Sequence, residues 1–101
     1  MARIKEKTYA FDVPSDTASI HVYYKAGSLV GYGDPFIVVP FVAGQLHYEV
    51  KLPSVVPVTD GEWTLGASAF DATGNESDIG AVVTYPFDLV APAAPTGGTV
   101  F

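Results

Sequence analysis

An oxygen-rich segment in the C-terminal half of the chain is the first candidate for chemistry. Residues 71–78 carry oxygen-bearing side chains at Asp71, Thr73, Asn75, Glu76 and Asp78. Calcium prefers several oxygen ligands on a tight turn, so a calcium loop is one interpretation. The glycine of the segment stands at the wrong position for such a loop, however, and too few carboxylates converge. We therefore favour a hairpin turn capped by its own side chains, and we predict no metal site.

Residues that commonly perform catalysis are few in this sequence. The absence of cysteine excludes a thiolate nucleophile, a disulfide framework and a cysteine-based zinc site. His21 and His47 fall on outward faces of predicted strands in different sheets, so we expect two solvated surface histidines. Ser68 lies inside a predicted strand rather than on a nucleophile elbow. The glycines of residues 31–35 lead into a proline rather than a helix N-terminus, which is unlike a phosphate-binding loop. We predict that the protein is not an enzyme and needs no cofactor.

An aromatic and apolar segment offers binding chemistry instead. Tyr32, Phe36 and Phe41 lie close together in the sequence, within a stretch that combines a glycine loop with a run of apolar residues. One interpretation places these rings in the core or at a sheet edge. The other is an exposed patch for a protein or glycan partner, because aromatic residues contribute much of the energy of interfaces. The sequence leaves both open.

The elements that must position these residues are β-strands. From Trp63 to Ala69 the apolar residues occupy every second position, which is the period of a half-buried strand. The turn at residues 71–77 then leads into a last strand. Similar alternation or apolar runs predict further strands at 8–13, 20–25, 36–39 and 45–52, before the last at 81–87. In the second of these, we expect His21, Tyr23 and Lys25 on the outer face.

No segment has the spacing of a normal helix, and glycines and prolines punctuate the chain throughout. These features predict an all-β fold, a seven-stranded antiparallel β-sandwich. Only residues 1–7 are available for the first strand, and that stretch is short and charged. With 101 residues, the chain is long enough for one domain.

Two of these stretches resemble fibronectin type III domains of the bacterial or phage type. Residues 69–77, A-F-D-A-T-G-N-E-S, are similar to the end of strand F and the F–G loop of that family. Residues 9–24 are similar to its strand B, short loop and strand C, with Phe11 where a tryptophan is common. Together the matches cover roughly residues 8–88. The resemblance implies a seven-stranded, immunoglobulin-like sandwich. Trp63 departs from the family's tyrosine, whose hydroxyl closes a corner.

Charge and hydropathy restrict the partners and the location. The net charge of −6 argues against nucleic acid and against anionic membranes, both of which require basic patches. The charged N-terminus is unlike a secretory signal, and no stretch approaches the ~20 apolar residues that cross a bilayer. We therefore expect no membrane partner and a cytoplasmic or phage-associated protein, unless the chain is a domain excised from a longer one.

The C-terminal segment, residues 91–101, differs in composition from the predicted domain at residues 1–90. It is rich in proline and glycine, and it resembles a linker followed by the first strand of another such domain. In the expected fold the two termini lie at opposite poles. We therefore expect this segment to complete a neighbouring copy by strand addition rather than its own domain.

These observations predict a non-catalytic structural or protein-interaction module that self-assembles through its C-terminal strand into a homo-oligomer. The alternative is a glycan- or protein-binding accessory domain of a larger extracellular or phage protein. The candidate interaction residues are Tyr32, Phe36, Phe41, Val100 and Phe101.

Overall fold

A computed structural model describes residues 3–100 of the chain, and all of its regular structure is β-strand. The strands are β1 (Lys7–Asp12), β2 (Ser19–Ala26), β3 (Phe36–Pro40), β4 (His47–Leu52), β5 (Gly61–Phe70) and β6 (Gly80–Phe87). The all-β prediction is confirmed. Within the described residues, no helix has the length and apolarity needed to cross a membrane.

The strands form two antiparallel sheets of unequal width. One contains β1 and β4, and the other contains four strands in the order β3-β2-β5-β6. The described residues therefore hold six strands, and the prediction of seven is wrong for this part of the chain. Residues 3–6 precede β1 but form no strand, since this short exposed stretch carries three charged side chains. Residues 88–100, after β6, also pair with no strand.

The core lies between the two sheets and is formed by the alternating side chains that face it. From the two-stranded sheet come Tyr9, Phe11, Tyr48, Val50 and Leu52, and from the larger sheet come Ile20, Val22, Leu65, Ala67 and Phe87. Val13, Val56 and Val58 close the core from the connecting segments. This packing confirms a sandwich-like arrangement of two β-sheets over one core.

A second, smaller apolar layer covers the outer face of the larger sheet. Gly66 in β5 leaves room there for Ile79, and a Cβ at position 66 would overlap the Ile79 methyl group and lie 3.3 Å from Val30. Tyr23, which alternation correctly places on this outer face, is only 3% exposed. The residues before β3 and those between β5 and β6 fold over it, so the outer face of this sheet is not simply a solvated surface.

The two ends of the sandwich differ in which loops they carry. At the Lys7 end, β1 begins and β6 ends; at the Asp12 end, β1 ends and β6 begins. Residues 3–7 and 85–92 line one cavity of about 310 Å³ at the Lys7 end. The expectation that the termini lie at opposite poles is therefore wrong for the described residues. The residues before β1 and those after β6 both lie at the Lys7 end of the sandwich.

Gly66→Ala tests the second apolar layer. Because the new methyl group would displace Ile79, we expect the free energy of unfolding to fall by about 1–3 kcal/mol. Urea denaturation followed by tryptophan fluorescence measures this. Gly80→Ala is the control, since a Cβ there would meet nothing within 4 Å. Equal stability of Gly66→Ala and the parent would contradict the packing described.

Candidate interaction surfaces

The first candidate surface is the edge of β1 that faces away from β4. Among residues 3–100, β4 is the only strand that pairs with β1, so the other edge of β1 presents unpaired backbone groups. A groove of about 160 Å³ runs beside this edge, between β1 and β6. The β1–β6 groove is lined by Lys7, Thr8, Tyr9, Leu52, Leu65, Val83, Tyr85 and Phe87. Six of these eight side chains are aliphatic or aromatic.

The side of β6 that faces the core is exposed along this groove. Cross-strand pairing places Val83 opposite Leu65 and Tyr85 opposite Trp63, so these pairs share the core-facing side of the larger sheet. Leu65 is buried, yet Val83 and Tyr85 are each 43% exposed. The two-stranded sheet is too narrow to cover them. The core-facing side of β6 is therefore accessible to solvent next to β1, while Leu65, Leu52 and Phe87 beside it stay buried.

Tyr9 bridges the two sheets in this region. Its ring is buried in the core, and its hydroxyl donates a hydrogen bond of 2.8 Å to the backbone carbonyl of Ala81. Burial raises the pKa of Tyr9 from 10 to about 12, so the hydroxyl remains a hydrogen-bond donor even at alkaline pH. Ala81 lies beside a register shift in the β5–β6 pairing and has a φ of 50°. This hydrogen bond holds the start of β6 against β1, although the two strands form no backbone pairing with each other.

Charged groups lie at the rim of the groove. The Nζ atom of Lys7 lies 6.0 Å from the centre of the Tyr85 ring, within reach of a cation–π interaction. Lys51, in β4, donates a 2.6 Å hydrogen bond to Thr8 on the exposed face of the small sheet. Because no carboxylate lines the groove, an uncharged strand could cover it without burying an acidic group.

The second candidate surface, the outer aromatic patch, comprises His21, Tyr23, Tyr32, Phe36 and Phe70 on the outer face of the larger sheet. His21 stacks on Phe36 with ring centres 4.1 Å apart, and the rings of Tyr23 and Tyr32 meet edge to face at 5.9 Å. Tyr32 and Phe36 are 54% and 46% exposed. The fold thus brings together two of the residues that the sequence suggested.

Phe41, the third of those aromatic residues, lies elsewhere. It packs against the core, with its ring centre 6.2 Å from that of Tyr48. The hydroxyl of Tyr48 donates to the carbonyl of Gln45 at 2.8 Å and accepts the amide of Val42 at 2.9 Å, which closes the loop before β4. Phe41 therefore serves the core in this structure and is not part of the outer aromatic patch.

A polar cluster, formed by the buried Tyr23 and Ser68 with the exposed Glu76, holds the outer aromatic patch in place. The hydroxyls of Tyr23 and Ser68 both donate hydrogen bonds to Glu76, the second at 2.5 Å. The pKa of Tyr23 is raised to about 12. Burial of the hydroxyl is the largest cause, and the hydrogen bond to Glu76 is the second. Tyr32 donates a 2.8 Å bond to the carbonyl of Ser77, which ties the loop before β3 to the loop before β6. The contacts of Tyr23 with Glu76 and of Tyr32 with Ser77 join residues 53 and 45 positions apart, so nothing in the local sequence indicates them.

The two histidines have different environments. They lie on β2 and β4, in different sheets, as predicted. His47 is exposed, and its ring nitrogens lie 2.7 Å from Asp12 and 3.3 Å from Glu49. Those hydrogen bonds, with Asp12 the larger contributor, raise the pKa of His47 above its usual value. His21 is half-buried between aromatic rings, so the expectation of a solvated histidine is wrong at that position.

The oxygen-rich segment forms a capped turn. Oδ1 of Asp71 accepts the backbone amides of Thr73 and Asn75 at 3.0 and 2.9 Å, and Oδ2 accepts the side-chain amide of Asn75 at 3.1 Å. Those bonds lower the pKa of Asp71 to about 2, the side-chain bond from Asn75 contributing most. Gly74 has a φ of 91°, which the turn requires. This geometry is the hairpin turn favoured above. Within residues 3–100, no three histidine, aspartate or glutamate side chains cluster as metal ligands.

The C-terminal segment extends from the sandwich. The backbone amide of Leu89 donates a 2.9 Å bond to Asp60, and the Leu89 side chain packs against the core. After this anchor the chain forms no strand up to residue 100, and Val100 is fully exposed. Phe101, the other candidate contact residue of this segment, lies outside the described residues.

Comparison of the chain with protein-family models, curated proteins and solved structures found no match. The fibronectin type III resemblance therefore stays a prediction from the sequence.

The Asp71 turn gives a pH-dependent prediction. Because folding lowers the pKa of Asp71 from 3.8 to about 2, its carboxylate stabilises the fold above pH 3.8, and this contribution is lost as the pH falls through 2. We expect Asp71→Ala to unfold at a lower urea concentration than the parent at neutral pH, with a difference that shrinks below pH 4.

Asp78→Ala is the matched control for that comparison, since its carboxylate accepts no hydrogen bond within the described part of the chain. Urea titrations at several pH values give the comparison. A difference between Asp71→Ala and the parent that stays constant down to pH 2 would contradict the role assigned to the turn.

Proposed function

We propose that this chain is a non-catalytic structural module of the fibronectin type III kind, which assembles with protein partners, including copies of itself, by accepting a β-strand along β1. The observation that carries this proposal is the exposure of Val83 and Tyr85 on the core-facing side of β6, next to the unpaired edge of β1. A strand in the β1–β6 groove would cover both side chains and continue the sheet. Strand addition is a common mode of peptide recognition.

The arrangement of strands supports the proposed family. If β1, β2, β5 and β6 correspond to strands B, C, F and G of an immunoglobulin-like sandwich, then C, F and G share one sheet and B lies in the other. The position beside β1 is then that of strand A, which none of residues 3–100 occupies. The proposed acceptor site is the place of a strand that the fold normally contains.

The titratable side chains of the described residues support a non-catalytic role. Glu76 accepts hydrogen bonds from the hydroxyls of Tyr23 and Ser68, and Asp71 is bonded to the backbone of its own turn. His47 lies exposed on the small sheet, between two carboxylates. Each group has a structural partner, and these groups do not converge on a shared cleft as a nucleophile and its base would.

Val83→Lys tests whether the groove mediates assembly. We expect the parent chain to form oligomers whose mass rises with concentration, because burying the groove removes apolar surface from water at ~25 cal/mol per Å². A lysine at position 83 would place a charge in the interface and should return the chain to a monomer. Multi-angle light scattering measures the masses.

Val82→Lys is the control, because Val82 is exposed on the opposite face of the same strand. It should leave assembly unchanged. A parent chain that stays monomeric at every concentration, or two lysine variants with the same effect, would overturn the proposed mode of assembly.

A second candidate function is glycan binding at the outer aromatic patch. Tyr32 and Phe36 present exposed ring surface, and Phe36 is held flat against His21. Sugars commonly stack on exposed aromatic rings, because the ring faces provide rigid apolar area at a low entropic cost. This observation favours a glycan ligand over a small molecule in an enclosed pocket.

Titration with neutral oligosaccharides, followed by NMR shifts of backbone amides, tests the glycan candidate. Binding should shift resonances of β2 and β3, and Phe36→Ala should weaken it at least about tenfold, the equivalent of 1.4 kcal/mol. Tyr85→Ala, on the other side of the sheet, is the control. Shifts that are absent, or equally reduced by both variants, would exclude the patch as a sugar site.

A further inference from the structure

The C-terminal segment is long enough to reach another molecule. The described residues span 70 Å along their longest axis. The longest strand, β5, has ten residues and would span only about 33 Å. Beyond Leu89 the segment makes no strand pairing and is almost entirely exposed, so the additional length comes from this extension.

The composition of the segment suits it to the β1–β6 groove. From Leu89 to Phe101 it contains no charged residue, so it could be buried without desolvating an ion. Pro92 and Pro95, which cannot donate a ladder hydrogen bond, precede its last six residues. Residues 96–101 include two threonines and a valine, which favour strands. Gly97 has a φ of 71° here and can extend without a steric cost.

The charges of the sandwich are separated between its two ends. The Lys7 end carries all five basic residues, Arg3, Lys5, Lys7, Lys25 and Lys51, and five acidic ones, Glu6, Asp34, Asp60, Glu62 and Asp88. The Asp12 end carries only acidic residues, namely Asp12, Asp16, Glu49, Asp71, Glu76 and Asp78. The five positive and five negative charges of the Lys7 end cancel, so the net charge of −6 comes from the Asp12 end. Two Asp12 ends would therefore repel each other.

These features determine a direction. The segment leaves its own sandwich at the Lys7 end, where the basic residues lie. If it reaches another copy at the Asp12 end, the basic residues of the donor approach the acidic end of the acceptor. From there it runs antiparallel to β1, as do all paired strands among residues 3–100.

On the basis of the function proposed above, we infer that the strand that fills the β1–β6 groove is the C-terminal segment, residues 91–101, of a second copy of this chain, running antiparallel to β1 from the Asp12 end to the Lys7 end. Each copy then donates one strand and accepts another. Donor and acceptor surfaces are different, so the contact is of the head-to-tail type, which propagates into rings or filaments unless two copies exchange strands.

The segment fits its own groove less well. Because residues 3–7 and 85–92 lie together, the segment starts beside the first residues of β1. To fill its own groove it would have to reverse direction within a few residues after Leu89 and then run parallel to β1. Such a strand would be parallel in a fold whose other pairings are antiparallel. Donation to a second copy needs no reversal.

A complementation experiment tests the inference. The donor variant is Val83→Lys, which keeps the segment but has a blocked groove, and the acceptor variant is the chain ending at Val90, which keeps the groove but lacks the segment. Each should be monomeric alone in light scattering. Their mixture should form a one-to-one dimer, whereas Val100→Asp in the donor variant should abolish it. The parent chain should form higher oligomers.

The outcomes separate this inference from the function on which it rests. One outcome is that the parent chain and the chain ending at Val90 both form oligomers, and that Val83→Lys dissociates them. The groove would then mediate assembly, but a segment other than residues 91–101 would fill it. That result would overturn the inference and leave the proposed function standing. A monomeric parent overturns both. A mixture of donor and acceptor variants that fails to pair also overturns the inference.

Cross-linking tests the direction, since the chain has no natural cysteine. Donor molecules with Val100→Cys are mixed with acceptor molecules carrying Thr8→Cys or Asp12→Cys, and a short thiol-reactive cross-linker is added. Antiparallel pairing predicts a cross-linked dimer with Thr8→Cys and little with Asp12→Cys. The reverse preference would overturn the direction, and an efficient cross-link within one parent chain carrying both cysteines would overturn donation to a second copy.

Discussion

The core of this protein is built between a two-stranded sheet and a four-stranded sheet, and the unequal widths leave the core-facing side of β6 uncovered. Native sheets usually protect such an edge with a charge, a proline or a covering segment, because an unpaired strand is a template for another. Here the groove floor is apolar, and its charges stand at the rim. The function proposed for the chain follows from this unequal coverage.

The remaining structure keeps this groove in a defined shape. The Tyr9 hydroxyl holds the start of β6 near β1, and the outer layer around Gly66 and Ile79 supports the larger sheet from behind. Glu76 joins the loop before β6 to the sheet through two hydroxyls. Because these contacts hold the larger sheet, its loops and β1 together without a strand in the groove, the sandwich can remain folded while the groove stays accessible. In the proposed assembly, the separation of charge between the ends would favour one orientation of a second copy.

Much of the fold could be predicted from the sequence, since the signals for it are local. The alternation from Trp63 to Ala69 and the cap at Asp71 depend on neighbouring residues, and both the strand and the turn form as predicted. The prediction of a seventh strand is wrong for residues 3–100, because a strand needs a partner edge, which short-range patterning does not reveal. The burial of Tyr23 could not be predicted either, since the loops that cover it are distant in sequence. For the same reason the sequence grouped Phe41 with Tyr32, although the fold separates them.

The unpaired edge of β1 is the central claim, and amide hydrogen exchange measured residue by residue by NMR tests it most directly. In the full chain, diluted until it is monomeric, alternate amides of β1 should be protected by β4 while those facing the groove exchange rapidly. All interior amides of β5, which pairs on both sides, should exchange slowly. Uniform protection of β1, equal to that of β5 in the monomer, would mean that a strand already covers this edge, and would contradict the account.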